Sequence, residues 1–165
     1  MFNTTNKIFS LDNAIEMSLK WREEGHKTVF TNGCFDLVHL GHVDYLEKAA
    51  NLGDHLILGL NTDDSISRLK GPSRPVADQH SRARVMAGFA FISMVVLFDE
   101  DTPYELISQL KPDILVKGDD YLADNIVGAD IVRENGGEVI TIPLVEGYST
   151  SKIINKIIND KTNII

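Results

Sequence analysis

Thr28-Val-Phe-Thr-Asn-Gly-Cys-Phe-Asp-Leu-Val-His-Leu-Gly-His42 is the stretch whose reading decides the fold. It opens with Thr28-Val-Phe-Thr31, a short β-branched and aromatic run that suits a strand buried on both faces. Gly33 then lets the backbone turn sharply or approach a ligand closely. A helix-length segment follows over 43–51. The same alternation recurs along the chain. His55-Leu-Ile-Leu-Gly-Leu60, Met94-Val-Val-Leu-Phe98, Asp113-Ile-Leu-Val116 and Glu138-Val-Ile-Thr-Ile142 are further apolar runs, with helix-length segments over 11–24, 81–90, 103–110, 126–135 and 150–158. Strands alternating with helices imply right-handed crossovers and a Rossmann-like α/β fold built on a doubly wound parallel sheet of five strands.

The helix boundaries support this reading. Thr102-Pro103 followed by Glu105 supplies a cap, a preset φ and an acid where a helix begins. Asn135-Gly136-Gly137 ends the next helix. At 165 residues the chain has the length of one domain, with its core expected over about 7–158. Sixteen Lys and Arg against 24 Asp and Glu give a net charge of -8, which argues against nucleic acid or an anionic membrane as partner. No apolar run approaches the roughly 20 residues a spanning helix needs, and the first residues lack the order of a secretory signal. Cys34 is the single cysteine, so no intrachain disulfide can form. A cytoplasmic protein is expected.

In such a sheet, ligands bind beyond the carboxyl ends of the strands, where Asn32, Gly33, Cys34 and Phe35 lie. His39 and His42, three apart at the start of a helix, share one face. Beside a helix N-terminus they suit phosphate: imidazoles donate to its oxygens, and the N–H groups add partial positive charge. A satisfied, partly buried histidine is the alternative for either one alone. Zinc is another, with Cys34, His39 and His42 as ligands, but Cys-x4-His-x2-His matches no common structural spacing.

Other segments could complete such a site. Residues 68–84 carry Arg68, Lys70, Arg74, Arg82 and Arg84 against one acid, Asp78. A loop there could close over a triphosphate; a solvated charged face is the alternative. Lys117-Gly-Asp-Asp120 follows the fourth run and reaches the same sheet edge as the histidines. Asp119 or Asp120 could accept from ribose or sugar hydroxyls, and Lys117 could meet a phosphate. Ser149-Thr-Ser151 precedes the last helix and reads as a cap, a phosphate site, or both. Asn61 and Asp63 end the second run and read equally as pocket wall or helix cap.

Gly33-Cys-Phe-Asp-Leu-Val-His-Leu-Gly-His42 resembles the G-x-F-D-x-x-H-x-G-H stretch of the cytidylyltransferase-like nucleotidyltransferases. Arg68-Leu-Lys-Gly-Pro-Ser-Arg-Pro75, Phe98-Asp-Glu-Asp-Thr-Pro103, Val116-Lys-Gly-Asp-Asp-Tyr121, Ile126-Val-Gly128 and Val145-Glu-Gly-Tyr-Ser-Thr-Ser151 resemble, in order, landmarks of its D-glycero-β-D-manno-heptose 1-phosphate adenylyltransferase branch. One departure is Asp119, where that branch usually has a second Gly.

The resemblance implies transfer of AMP from ATP to a heptose 1-phosphate, giving ADP-heptose for lipopolysaccharide. It also implies Mg²⁺ or another divalent cation with the ATP, frequent homodimers, and a sugar kinase supplied by another protein. Residue reading and resemblance together assign catalysis to His39, His42 and Lys70. To the nucleotide they assign those three with Asn32, Gly33, Cys34, Phe35, Gly41, Arg82, Lys117, Gly118, Asp120, Ser149, Thr150 and Ser151. To the sugar phosphate they assign Asp36, Asn61, Asp63, Arg74, Asp119 and Tyr121. No protein group is assigned to a metal. A cytidylyltransferase acting on glycerol 3-phosphate or another sugar phosphate is the nearest alternative, and a nucleotide-binding module without catalysis is one of another class. A nicotinamide site is disfavoured because no G-x-G-x-x-G follows the first run.

Overall fold

The computed structural model describes residues 3–119 and 125–159. Six parallel strands form one sheet in the order β1-β4-β3-β2-β5-β6. They are β1 (Ile8–Phe9), β2 (Thr28–Gly33), β3 (His55–Asn61), β4 (Ile92–Phe98), β5 (Ile114–Gly118) and β6 (Glu138–Ile142). The helices are α1 (Leu11–Glu23), α2 (Leu40–Ala50), α3 (Asp63–Lys70), α4 (Gln79–Ala87), α5 (Tyr104–Leu110), α6 (Ala129–Glu134) and α7 (Thr150–Asn159).

Six strands replace the expected five. The extra one, β1, spans two residues and pairs with β4 through Ile8↔Val95 and Phe9↔Val96. Two residues carry no periodicity, so only the neighbouring strand defines them. Helix α3 was likewise not among the helix-length segments. Its eight residues include only Ile66 and Leu69 as large apolar side chains. Its ends hold it: the Thr62 side chain accepts from Ser65 N, Asp63 and Asp64 fill the first turn, and Arg68 and Lys70 the last.

The strands bury both faces, as their composition requires. On one face Val29, Leu56, Leu58, Leu60 and Val116 pack with Leu46 and Ala49 of α2 and Ala83 and Met86 of α4. On the other, Phe30, Ile57, Met94, Val96 and Leu115 pack with Ala14 of α1, Ile107 and Leu110 of α5 and Val132 of α6. The chain moves from β2 outward to β3 and β4, then returns to place β5 on the opposite side of β2. The reversal makes the β2–β5 boundary a topological switch point.

The register opens a crevice there. β2 stays paired with β3 as far as Gly33↔Leu60, whereas its ladder with β5 runs only from Val29↔Ile114 to Phe30↔Leu115. Beyond Phe30 the carboxyl ends of β2 and β5 part, with Asn32 and Lys117 facing each other across the gap.

Ile57 is fully buried in the central strand β3, so Ile57→Ala should cost about 2–5 kcal/mol of folding free energy. Leu19 is half exposed on α1, and Leu19→Ala should stay within roughly 0.5 kcal/mol. Urea denaturation of the two variants checks the contrast.

Candidate active site

At the parting of β2 and β5 an open cleft encloses about 690 Å³, within the roughly 300–1,000 Å³ typical of small-molecule sites. Its floor is the end of β2, Asn32 and Gly33, with Lys117 and Gly118 of β5. Asn32 Oδ1 accepts a hydrogen bond from Lys117 Nζ and so closes the gap left by the missing ladder.

The turn after β2 is tight. Phe35 adopts φ 44°, the left-handed region that is strained for a bulky residue. Its ring lies under Gly33, where a Cβ would meet it at 2.8 Å. Any side chain at position 33 would displace Phe35, which is buried and rests against His42 with ring centroids 5.1 Å apart.

His39 is the residue before α2 and offers it no side-chain cap. Its ring stacks on that of His42 instead, centroids 3.8 Å apart and 17° from parallel. Gly41 keeps this end of the helix open: a Cβ there would lie 3.2 Å from the His39 ring and 3.4 Å from Tyr148 Cβ. Burial, then the neighbouring His39 and Lys70, push the His42 pKa down to about 4. Burial also lowers that of His39. Both rings are therefore neutral near pH 7 before a ligand binds. Among the described residues neither Nδ1 has a hydrogen-bond partner, although both are buried. The protein thus leaves the tautomer of each ring to be set by what binds.

Two further elements close the cleft. α3 ends with Lys70 on one wall, joined by Arg74 from the loop that follows. On the other wall α7 begins with Ser149, Thr150 and Ser151. Ser149 Oγ accepts from Lys152 N at 3.2 Å, and Thr150 Oγ1 donates to Leu37 O at 3.4 Å. The second contact ties α7 to the loop before α2. The N-termini of α2 and α7 thus open on the same space, neither with an acid in its first turn, an arrangement that favours an anion.

The cleft therefore brings together Asn32, Gly33, Cys34, Phe35, His39, Gly41, His42, Lys70, Arg74, Lys117, Gly118, Ser149, Thr150 and Ser151. Four of the expected site residues are corrected to internal bracing. Arg82 is 1% exposed and is not among the residues that line this cleft: it donates to Ala77 O, Cys34 O, Asn61 O and Asp63 Oδ1. Asp63 is its ion-pair partner at 2.7 Å. The Asn61 side chain is buried and donates to Ser65 Oγ. Asp36 is buried against the loop after α3.

Asp119 also lies off the cleft lining; its carboxylate accepts from Leu144 N at 3.3 Å and braces the loop before α7. Asp120 and Tyr121 fall outside the described residues. Sequence reading missed Tyr45, Leu144, Val145 and Tyr148, which line the cleft. Val145 and Tyr148 lay within a quoted landmark, but apolar loop residues carry no chemical signal of their own.

A model of the family described as cytidylyltransferase-like matches residues 30–156. The chain belongs to that family. It is a nucleotidyltransferase. It is 53% identical over 156 residues to a protein of Magnetococcus marinus named bifunctional protein HldE, covering 94% of this chain and 32% of that protein. A protein of the same name from Gluconobacter oxydans is 53% identical over 150 residues, covering 91% of this chain and 31% of that protein. The chain thus spans about a third of the length of the curated relatives it matches.

Among solved structures, one described as the lipopolysaccharide core biosynthesis protein from Thermoplasma volcanium is 27% identical, with a TM-score of 0.58 over 75% of this chain and 99% of that one. A pantoate-beta-alanine ligase from Francisella tularensis shares the fold at 14% identity, with a TM-score of 0.58 over 92% of this chain and 77% of that one. No helix among the described residues is long and apolar enough to cross a membrane.

The donor set bears on the divalent cation. Among the described residues no three His, Cys, Asp or Glu side chains are grouped to hold a metal ion, and the carboxylates of Asp36 and Asp63 are committed to arginines. A divalent cation in this cleft would enter as part of the nucleotide substrate.

His42 makes this nucleotidyltransferase sensitive to acid. Folding lowers its pKa from 6.5 to about 4, so between those values the unfolded chain binds more protons than the folded one. The stabilisation is complete above about pH 6.5 and is lost as the pH falls toward 4. The melting temperature of the unliganded protein should therefore drop more between pH 7 and 4.5 than that of His42→Asn. Parallel profiles would remove His42 from the acid response.

Proposed function

We propose that this chain transfers AMP from ATP to a heptose 1-phosphate, forming ADP-heptose and releasing pyrophosphate, on a site of the H-x-G-H type. The observation that carries the proposal is the stacked His39–His42 pair facing the same cleft as Lys70 and the starts of α2 and α7. Every one of these groups favours polyphosphate. The sugar rests on the ordered landmarks shared with the heptose branch. The names of the relatives accord with it, a bifunctional HldE and a lipopolysaccharide core biosynthesis protein.

An oxygen of the sugar phosphate attacks the α-phosphorus of ATP in line. The new P–O bond forms as the bond to the β-phosphate oxygen breaks, and its electron pair leaves on pyrophosphate. The nucleophile is already an anion, so no general base is required. Catalysis comes from positioning and electrostatic stabilisation. His39 and His42 donate to α- and β-phosphate oxygens as negative charge moves to the leaving group. Lys70 neutralises the triphosphate, and the N–H groups at the starts of α2 and α7 meet phosphate oxygens. Asn32, Gly33 and Gly118 admit the nucleotide along the strand ends, and Arg74 meets the phosphate of the sugar. Mg²⁺ bound to the ATP substrate would offset charge on the phosphates. The same reading makes the protein a cytoplasmic homodimer.

Asp119, which stands where the heptose branch has Gly, favours a second reading, cytidylyl transfer to glycerol 3-phosphate or another sugar phosphate. Pyrophosphate release separates the two. ATP, CTP and GTP are crossed with both anomers of heptose 1-phosphate and with glycerol 3-phosphate. ATP with one heptose anomer should be fastest. His42→Ala should lose about 10²–10³-fold in turnover while folding normally. Near-normal turnover by that variant would take the histidine pair out of the mechanism.

A further inference from the structure

Asp36 lies between two parts of the cleft without lining it. Its side chain is 1% exposed. One carboxylate oxygen, Oδ2, receives the Arg74 guanidinium through Nε at 2.8 Å and Nη2 at 2.7 Å. The other, Oδ1, accepts from the amides of Val76 and Ala77, both at 2.9 Å. Burial alone would raise the Asp36 pKa. The two amides and the guanidinium outweigh it and hold the carboxyl below its ordinary range. Asp36 is therefore an anion near neutral pH, set behind a site that otherwise collects positive charge.

The loop it grips has independent anchors. Arg82 donates to Ala77 O, Ser67 Oγ donates to Arg74 O at 2.6 Å, and Asp78 caps α4. Asp36 therefore shares the hold on the loop backbone with these anchors, and it is also the carboxylate that grips the Arg74 side chain. Arg74 is held from behind through Nε and Nη2, while the residue borders the same cleft as Lys70 and the histidines.

We infer that Asp36 is a positioning residue, which fixes the Arg74 guanidinium so that it meets a phosphate group in the cleft. The inference rests on the reading of the cleft as a phosphate site. It predicts the sign of an effect. Removing a negative charge beside an anion site strengthens anion binding if the charge acts only through the field. It weakens binding if the carboxylate is what aims the arginine.

Asp36→Asn is the discriminating variant: its amide oxygen can still accept from Val76 and Ala77, while its NH₂ group faces Arg74 as a donor. Titration calorimetry with inorganic phosphate, the group that Arg74 meets on the sugar, supplies the readout, and circular dichroism checks folding. Asp36→Asn should bind about tenfold more weakly than the unaltered chain. In an Arg74→Met background the same substitution should leave binding unchanged or tighten it. Arg74→Lys keeps the charge but loses the fork, and it too should weaken binding about tenfold, which tests the inference even if Asp36→Asn does not fold. Tighter binding by Asp36→Asn alone, the same weakening with and without Arg74, or full affinity in Arg74→Lys would overturn the positioning role. Absence of phosphate binding by the unaltered chain would overturn the phosphate reading of the cleft, and this inference with it.

Discussion

The ladder between β2 and β5 stops at Phe30↔Leu115, and the site depends on that stop. Had the pairing continued, Asn32 and Gly33 would be covered by β5, as they are covered on the other side by Gly59 and Leu60 of β3. Because it ends, the carboxyl ends of two central strands separate, and backbone and side-chain polar groups face a cleft. The cause is topological. The chain leaves β2 toward one edge of the sheet and leaves β5 toward the other, so the segments that follow the two strands diverge. The Lys117–Asn32 hydrogen bond spans the gap that results.

Around that opening the protein sorts its charges by depth. Among the described residues Arg82 and Asp36 are the deeply buried charged groups, and each is matched. Arg82 has a carboxylate and three carbonyls; Asp36 has a guanidinium and two amides. Unmatched burial of either would be strongly destabilising. Lys70 and the two histidines border the cleft instead, where burial keeps the imidazoles neutral. The consequence is a cradle that can gain hydrogen bonds and charge from a polyanion without first giving up internal partners.

Much of the architecture was legible because it rests on local signals. The runs at Val29-Phe30, Leu56 to Leu60 and Leu115-Val116 are apolar at successive positions and short, which suits a strand covered on both faces. Gly33 and Gly41 stood out, and contacts with Phe35, His39 and Tyr148 supply the steric reason for each. β1 and α3 were not legible. The first owes its existence to β4, and the second to caps rather than to an apolar stripe.

Within the site, residue type was a good guide to chemistry and a poor guide to depth. His39, His42 and Lys70 reach the cleft, yet Arg82 and Asp36, read from the same motifs, turn inward. Tyr148 and Leu144 reach the cleft without any chemical cue. By itself the sequence determined the alternation of strands and helices, the tight turn after β2 and the two imidazoles on one helical face, because each follows from spacing within a few residues. The tertiary structure alone decided which cations face a ligand and which hold the protein together. Whether a guanidinium meets phosphate or carbonyl depends on what lies across from it, and for Arg82 those partners come from positions 34, 61, 63 and 77.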